Sequence, residues 1–358
     1  MTEKSINQYY DRLNEIENIG DLGDLPYIKN LPRKDQRIPP RKKSANKSET
    51  SREYILAELA EQSDDVSTFE FTYKAARHEH GWLIDSLGGF YEQHWIDDVL
   101  RMIKGGKEAS VYQCSANQST LEDFIAAKVY RPRRFRNLKN DHLYREGRAR
   151  LDSEGAAILD HGTLNAMDQR TEYGLRMMHT SWMQHEFQTM KLLHAAGADV
   201  PVPYACDNNA ILMSYIGGVA LAAPTMNQID LDLDESTHLF RRVIENVDIM
   251  LANDRIHGDL SAYNILYWDG EITIIDFPQA ISPEENRSAY AIFERDLTRI
   301  CEYFARQGVD VKPRSIAADM WTSHRHRFSP DVHPGLLDDQ DVDDLAYWKS
   351  ISNPDGRG

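Results

Sequence analysis

Two short apolar runs joined by a tight turn constrain this chain more than any other feature of its sequence. The first run, residues 256–267, contains Asp259 and Asn264, and the second, residues 272–279, contains Asp276. An Asp-Gly pair lies between them, as is typical of a β-turn. The pattern predicts a hairpin anchored by Ile, Leu and Tyr side chains, with two carboxylates and one amide converging at its rim.

Such a group of side chains is suited to phosphoryl transfer from a nucleoside triphosphate. The triphosphate is a polyanion, so carboxylates approach it through a divalent metal, and Mg²⁺ takes oxygen ligands from one or two side chains together with phosphate. Asn264 and Asp276 offer that pair of metal ligands. Asp259 would accept or orient the acceptor hydroxyl. We therefore expect Asp259 to act in catalysis and Asp276 to act through the metal, although either acid alone is more often a turn or cap residue.

A pair of glycines between two apolar runs is a candidate phosphate-binding loop. Residues 99–114 predict a strand, a turn at Gly105-Gly106, and a second strand. Adjacent glycines let backbone N–H groups approach phosphate closely, and Lys107 or Ser110 would add a charge or a hydroxyl contact. A plain hairpin turn explains this segment equally well when it is taken alone.

Lys128 lies within an apolar strand, residues 124–130, and needs an anionic partner there. Burying an unpaired ammonium is costly. Apolar residues recur at helical spacing behind Thr180-Ser181, and Glu186 is the one acid on the apolar face of that predicted helix. We expect Lys128 to bind phosphate and to pair with Glu186.

The most basic stretch of the chain, residues 131–150, lies between this strand and this helix. Phe135 and Tyr144 are interleaved with its arginines, and this combination can contact phosphates and stack on bases. The stretch is therefore a candidate docking site for a ribosomal or RNA partner. A solvated flexible loop, extending over residues 131–180, explains the composition as well.

A later segment is a candidate hinge between two lobes. Residues 210–218 predict a strand that ends in a Gly-Gly pair. Backbone groups of Ser214 and Ile216 would hydrogen-bond the edge of an adenine. Amphipathic helices are predicted on both sides of the 256–279 region.

Composition limits the remaining classes of protein. Lys and Arg number 41 and Asp and Glu 57, for a formal net charge of −16. This charge argues against a protein whose whole surface binds nucleic acid or an anionic membrane, so any polyanion site must be local. Three widely spaced cysteines indicate neither a disulfide framework nor a zinc site, and no apolar run has the length of a signal peptide or membrane span. We expect a soluble, cytoplasmic protein with no membrane partner.

The length of 358 residues favours two lobes with extensions. We predict a flexible N-terminal tail at 1–52, a helical extension at 53–98, an N-lobe at 99–213, a C-lobe at 214–310 and an acidic C-terminal segment at 311–358.

Together these motifs resemble the RIO family of atypical serine/threonine protein kinases. The resemblance extends over about residues 80–310 and is carried by Gly106-Lys107-Glu108-Ala109-Ser110-Val111-Tyr112, Ala127-Lys128-Val129-Tyr130, Glu186, Leu212-Met213-Ser214-Tyr215-Ile216-Gly217, His257-Gly258-Asp259-Leu260-Ser261-Ala262-Tyr263-Asn264 and Ile274-Ile275-Asp276-Phe277-Pro278-Gln279. It implies an α+β, reduced two-lobed protein-kinase-like fold, with a small β-rich N-lobe and a helical C-lobe. It also implies ATP and Mg²⁺, or Mn²⁺, as cofactors.

The resemblance further implies a role for each site residue. Asp259 would be the base, Asn264 and Asp276 the metal ligands, and Lys128 a phosphate ligand. The acceptor would be a protein hydroxyl or the chain itself, and Asp276 could also receive the phosphoryl group as an aspartyl-phosphate, as in an ATPase switch. Two alternatives stay open: a small-molecule kinase of the aminoglycoside-phosphotransferase type, and a nucleotide-gated protein that binds a ribonucleoprotein.

Overall fold

The computed structural model describes residues 69–106, 108–131 and 148–326. The predicted N-terminal tail, Lys107, most of the basic stretch and the end of the acidic C-terminal segment lie outside these ranges. Within them the chain is α+β, with an antiparallel sheet in its N-terminal part and mainly helices in its C-terminal part.

The N-terminal lobe consists of one helix and a five-stranded antiparallel sheet. Its elements are α1 (Arg77–Glu92), β1 (Ile96–Gly105), β2 (Ala109–Ala116), β3 (Phe124–Tyr130), β4 (Pro203–Asp207) and β5 (Ala210–Ser214). The strands follow the order β1-β2-β3-β5-β4, which places β3 in the middle of the sheet. The predicted helical extension, residues 53–98, thus contributes α1 and the first residues of β1.

The C-terminal lobe is mainly helical and contains one short hairpin. Its elements are α4 (Leu233–Ala252), β6 (Ile265–Trp268), β7 (Glu271–Ile274), α5 (Ala289–Arg306) and α6 (Pro313–Ser323), and they follow the connecting helices α2 (His161–Asp168) and α3 (Glu172–Ala195). Among the described residues, no helix has both the length and the apolar composition needed to cross a bilayer.

Side chains alternate across β3, so its two faces meet different partners. Ile125, Ala127 and Val129 pack in the cluster that contains the apolar face of α1. Tyr130 packs instead in the larger core of the C-terminal lobe, together with Met183 and other residues of α3. Lys128 shares a strand face with Tyr130 and therefore lies on the side of the sheet that α3 covers.

The β6–β7 hairpin has the turn that its Asp-Gly pair predicts. Trp268 pairs with Glu271, and Asp269 and Gly270 between them have φ values of 52° and 85°. Positive φ at both central positions is the property of a type I′ turn, whose twist matches that of the flanking strands. The strands are shorter than the apolar runs suggest, and Asp276 lies two residues after the end of β7.

The predicted flexible loop, 131–180, and the predicted helix start at Thr180-Ser181 differ from the structure. α2 lies within that range, and α3 already begins at Glu172. The Thr171 hydroxyl accepts a hydrogen bond from the Gly174 N–H at 3.0 Å and caps the helix. The sequence pattern missed this start because the apolar side chains of the first turns, Leu175, Met177 and Met178, are only partly buried and do not form a clear apolar stripe.

The predicted end of the C-lobe at residue 310 is also too early. α6 packs on α5 through Ala317 and Trp321, which are fully buried. The Trp321 ring lies 5.4 Å from that of Phe293 and 5.3 Å from that of Tyr290. The segment predicted as an acidic extension therefore begins with a helix of the C-terminal core.

Candidate active site

Lys128 on β3 lies between two carboxylates from different parts of the chain. Its Nζ is 2.6 Å from Glu186 Oε1 on α3 and 2.5 Å from Asp276 Oδ1 after β7. The side chains of Lys128 and Glu186 are 11% and 3% exposed, whereas that of Asp276 is 43% exposed. Asp276 is therefore the member of this group that a ligand can reach.

The charge of Lys128 is maintained by its neighbours. Burial lowers the pKa of its ammonium, but the negative charges of Asp276 and Glu186 more than compensate, so the pKa lies above the ordinary value for lysine. The Tyr130 hydroxyl donates a hydrogen bond to Glu186 Oε2. Burial, followed by the charge of Glu186, raises the pKa of Tyr130 well above its usual value, so Tyr130 remains a donor. Both Glu186 oxygens are thus engaged, which fixes the lysine.

Asp276 has a backbone conformation that non-glycine residues seldom adopt. Its φ is 74°, in the left-handed region, where a side chain costs on the order of 1–2 kcal/mol. Desolvation raises the pKa of the Asp276 carboxyl, but Lys128, and then His257 and Lys104, reverse the effect and bring the pKa below its ordinary value. The carboxylate is therefore ionised at neutral pH.

Asp259 lies in the loop of residues 257–264, which precedes the hairpin. The side-chain N–H of Asn264 donates to the Asp259 carbonyl oxygen at 2.9 Å, and the Asp259 N–H donates to His257 Nδ1 at 3.2 Å. The Asp259 carboxylate is 43% exposed, and its Oδ1 accepts a hydrogen bond from Arg299 at 2.7 Å. The backbone of Asp259 is thus fixed while its carboxylate stays accessible.

His257 connects the 257–264 loop to the segment that carries Asp276. Its Nε2 lies 3.1 Å from the Ile275 carbonyl oxygen, and its ring packs 4.9 Å from that of Phe277. Because Nδ1 accepts from the Asp259 N–H, the proton is placed on Nε2, which then donates to Ile275. One buried side chain therefore sets the spacing between the two catalytic candidates.

Gly258 allows close contact that any other residue would prevent. Its φ is 84°, and a Cβ at this position would lie 2.1 Å from the Gln279 carbonyl oxygen. The Gly258 N–H donates to Asp296 Oδ2 at 2.9 Å, and its carbonyl oxygen accepts from Arg295 at 2.5 Å. Burial raises the pKa of Asp296, although Arg295 opposes the shift. Helix α5 thus anchors the 257–264 loop through Asp296 and Arg295.

The donor set of Asn264 and Asp276 fits a magnesium ion. The Ile275 N–H donates to the Asn264 carbonyl oxygen at 2.9 Å, so the two residues lie on adjoining backbone segments. The amide nitrogen of Asn264 is bonded to Asp259, which makes its amide oxygen the atom suited to a cation. One amide oxygen and one ionised carboxylate are the hard ligands that Mg²⁺ takes.

The glycine turn between β1 and β2 is closed by its own backbone. The Gly106 N–H donates to the Ala109 carbonyl oxygen at 2.9 Å, and a Cβ on Gly106 would lie 2.8 Å from that atom. Gly105 pairs with Ser110 across the two strands, and Ser110 is buried. Lys107 lies outside the described residues. Phosphate binding by this turn stays a prediction.

The segment after β5 is also held by local bonds. The Ser214 N–H donates to the Val202 carbonyl oxygen, and the Ser214 hydroxyl accepts from the Val202 N–H, both at 2.9 Å. The Ile216 carbonyl oxygen accepts from the Ala223 N–H at 3.0 Å. These bonds fix the connection between the lobes, and adenine binding by Ser214 and Ile216 stays a prediction.

The sequence assigned no role to four residues of the site: Tyr130, Arg295, Asp296 and Arg299. The signal for Asp296 was present, since it is an acid on the apolar stripe of α5, at helical spacing from Phe293 and Ile300. The other three bind partners that are distant in the sequence, which no local pattern indicates: Tyr130 binds Glu186, Arg295 binds Gly258 and Arg299 binds Asp259.

The chain matches known proteins over the region that contains this site. A protein-family model, described as the RIO domain, matches residues 110–316. The RIO-type serine/threonine-protein kinase Rio1 of Haloferax volcanii is 27% identical over 254 residues, or 70% of this chain and 73% of that protein. The serine/threonine-protein kinase RIO1 of Chaetomium thermophilum is 30% identical over 226 residues, or 60% of this chain and 41% of that protein. The chain thus spans less than half the length of this fungal relative.

Solved structures of the Rio2 kinase from Chaetomium thermophilum are also similar. One has a TM-score of 0.48 and 20% identity and covers 77% of this chain and 78% of that chain. A second, the ADP/Mg²⁺-phosphoaspartate complex of that protein, has a TM-score of 0.47 and 21% identity and covers 68% and 67%. The RIO-domain match extends over more than half of the present chain. The chain therefore belongs to the RIO family of serine/threonine protein kinases.

Proposed function

We propose that this protein transfers the γ-phosphoryl group of ATP, with Mg²⁺, to a serine or threonine hydroxyl of a protein or of its own chain. The observation that carries the proposal is the joint arrangement of Lys128, Glu186, Asp276 and Asp259. One ammonium is fixed by a buried acid, a second acid is accessible beside it, and a third acid lies in a neighbouring rigid loop. Phosphoryl transfer needs a fixed cation for the phosphates, an accessible acid for the metal and a separate acid for the acceptor hydroxyl.

Lys128 and Glu186 would hold the phosphates. Lys128 Nζ already contacts the Asp276 carboxylate, and a phosphate oxygen offers it the same kind of negatively charged partner. Glu186 keeps the ammonium in place while that exchange occurs. Asn264 and Asp276 would hold the Mg²⁺, which neutralises charge on the phosphates when bound.

Asp259 would act as the base toward the acceptor hydroxyl. Arg299 donates to Oδ1 at 2.7 Å, whereas the contact of Oδ2 with the Asn264 side-chain N–H is longer, at 3.5 Å, so Oδ2 is the oxygen that would orient the hydroxyl and accept its proton. Asn264 and His257 hold the Asp259 backbone, so the carboxylate needs little reorganisation when the acceptor arrives.

For the remaining contacts with the nucleotide we keep the assignments that the sequence predicts. Gly105, Gly106, Lys107 and Ser110 would lie over the phosphates, and the hinge at residues 214–216 would contact the adenine. The Ile216 carbonyl oxygen is bonded to Ala223, which makes the Ile216 N–H the group suited to an adenine nitrogen. A ribosomal or RNA partner bound through residues 131–150 is a further expectation, most of which falls outside the described residues.

Asp276 is itself a second candidate acceptor. Its carboxylate is ionised and accessible, and its strained backbone fixes the direction of the side chain. Attack by a carboxylate oxygen of Asp276 on the γ-phosphorus of ATP, with cleavage of the bond to the β–γ bridging oxygen and departure of ADP, would give an aspartyl-phosphate.

The test uses γ-labelled ATP and Mg²⁺ with the wild type, Asp259→Asn, Asp276→Asn and an exposed control on α4, Asp234→Asn. Labelled protein is divided into acid-stable and hydroxylamine-sensitive fractions. Acid-stable label that is lost in both site variants and kept in the control supports transfer to a hydroxyl. Hydroxylamine-sensitive label lost in Asp276→Asn supports transfer to Asp276. Equal label in all four proteins contradicts the proposal.

A further inference from the structure

A groove between α5 and the start of α6 lies beside the 257–264 loop. Its volume is about 710 Å³. Two residues of its α5 wall also contact the loop: Arg295 donates to the Gly258 carbonyl oxygen at 2.5 Å, and Arg299 donates to Asp259 Oδ1 at 2.7 Å. A peptide segment in this groove would therefore pass next to the proposed catalytic base.

The groove is basic although the protein as a whole is acidic, with a net charge of −16. Its charged lining consists of four cations and two acids: Arg295, Arg299, Lys312, Arg314, Glu294 and Glu302. Arg314 is 91% exposed and only 3.8 Å from Glu294, a distance and exposure at which an ion pair is weak. Lys312 is exposed as well. These two side chains can exchange water for the carboxylates of a ligand.

We propose that this groove binds an acidic segment of the acceptor protein, within a few residues of the hydroxyl to be phosphorylated. Lys312 and Arg314 bind its carboxylates, and Arg299 joins the groove to Asp259. The inference rests on the proposed kinase function and specifies the substrate class of the same site.

The surroundings favour an acidic peptide over a nucleic acid strand. Val311 and Pro313 give the groove an apolar wall against which the peptide's backbone and aliphatic groups can pack. Glu294 and Glu302 interrupt the positive charge of the groove. A short peptide places a few carboxylates among the cations, whereas a phosphodiester strand would also carry its charge past Glu294 and Glu302.

Arg299 gives the groove a direct link to the chemistry. Its Nη1 donates to Asp259 Oδ1, while the same side chain lines the groove. A guanidinium presents several N–H donors in a fixed plane, so one carboxylate of the acceptor and Asp259 can share it. An acidic acceptor is therefore bound at the position from which its hydroxyl reaches Asp259.

The test compares two synthetic peptides with the full chain. Both contain the same serine, which is flanked by four aspartates in one peptide and by four asparagines in the other. We expect kcat/KM to be higher for the aspartate peptide by about tenfold, mainly through KM, and we expect the ratio to fall as salt is added. Fluorescence anisotropy of the labelled peptides measures binding independently of turnover.

The decisive variant is Lys312→Glu with Arg314→Glu, and the control is Arg241→Glu, which changes an exposed arginine of α4 outside the groove. The double variant should bring both the kcat/KM ratio and the affinity ratio to about one or below, and the control should keep the wild-type ratios. Equal affinity of the wild type for the two peptides, or an unchanged ratio in the double variant, would overturn the inference.

Two other results would also overturn it. Binding of the aspartate peptide only after the five aspartates in residues 338–344 are changed to asparagine would assign the groove to the chain's own C-terminal segment. Displacement of the peptide by a homopolymeric RNA at lower concentration than by unlabelled peptide would assign it to nucleic acid. Failure of the proposed function is distinguishable, because it abolishes autophosphorylation and peptide labelling while leaving the anisotropy result intact.

Discussion

Lys128 is the residue at which folding and function depend on the same charges. It is buried with Glu186, and neither group could be buried alone at acceptable cost. Removal of either partner leaves the other as an uncompensated buried charge. Replacement of Lys128 by another cation preserves the charge but not the geometry of the pair.

We therefore predict that Lys128→Ala lowers the free energy of unfolding by about 3 kcal/mol, because Glu186 loses its cation. Lys128→Arg should lower it less and should still lose most phosphoryl transfer, since a planar guanidinium does not occupy the position of an ammonium. Urea denaturation and γ-labelled ATP measure the two effects. An alanine variant as stable as the wild type would contradict the role of this pair.

The lowered pKa of Asp276 predicts how the stability of the protein depends on pH. Its pKa is lower in the folded protein than its unfolded value of about 4, so its contribution is complete above that value and is lost as pH falls through the folded pKa. We expect the melting temperature of the wild type to fall more steeply than that of Asp276→Asn below about pH 4. Asparagine also tolerates a positive φ, which makes it the matched control. Parallel melting curves would contradict this account.

At the scale of elements, α5 positions the 257–264 loop through Asp296. Asp296→Ala should leave the Gly258 N–H without its acceptor, costing about 1–3 kcal/mol of stability. It should also lower kcat more than it raises KM, because the loop carries Asp259. Asp296→Asn keeps an acceptor oxygen and should restore much of kcat. Equal kcat in the alanine and wild-type proteins would show that α5 does not position the loop.

Gly258 provides a second test of how the 257–264 loop is positioned. Gly258→Ala combines a φ of 84° with a Cβ placed 2.1 Å from the Gln279 carbonyl oxygen, so the loop must move away from the Asp276 segment. We predict a loss of activity of at least about a hundredfold, since a displacement of about 1 Å at the reacting groups has that effect. Gly270→Ala, which has a similar φ but nothing within 4 Å of the added Cβ, controls for backbone strain. Equal losses in both variants would exclude the steric explanation.

Local patterns account for the parts of the site that the sequence predicted. The Asp-Gly pair specifies the hairpin turn, and an isolated lysine in an apolar strand requires an acid such as Glu186. The start of α3 and the packing of α6 were missed because capping by Thr171 and burial of Trp321 depend on local polar geometry and on tertiary contacts. The contact of Arg299 with Asp259 joins residues that no periodicity relates.

At the scale of the whole molecule, the ion pair of Lys128 with Asp276 links the two lobes. Lys128 belongs to the sheet and Asp276 to the C-terminal lobe, so a nucleotide and Mg²⁺ that engage both would strengthen this connection. Ligands that bind only the folded state stabilise it by about 2.7 kcal/mol at a concentration of 100 Kd.

We accordingly predict that ATP with Mg²⁺ raises the melting temperature and that EDTA removes most of the increase. Asn264→Ala should show a much smaller difference between the two conditions, because it lacks one proposed metal ligand. Differential scanning fluorimetry measures all four combinations. An EDTA-insensitive increase in the wild type would contradict the assignment of Asn264 and Asp276 to the metal.

The most direct measurement of the central claim is the rate of phosphoryl transfer to a serine peptide by Asp259→Asn beside the exposed control Asp234→Asn. If Asp259 is the base in a cleft organised by Lys128 and Asp276, the site variant loses about 10²–10⁴-fold in kcat while the control matches the wild type. A kcat within about twofold of the wild type for Asp259→Asn would contradict that claim.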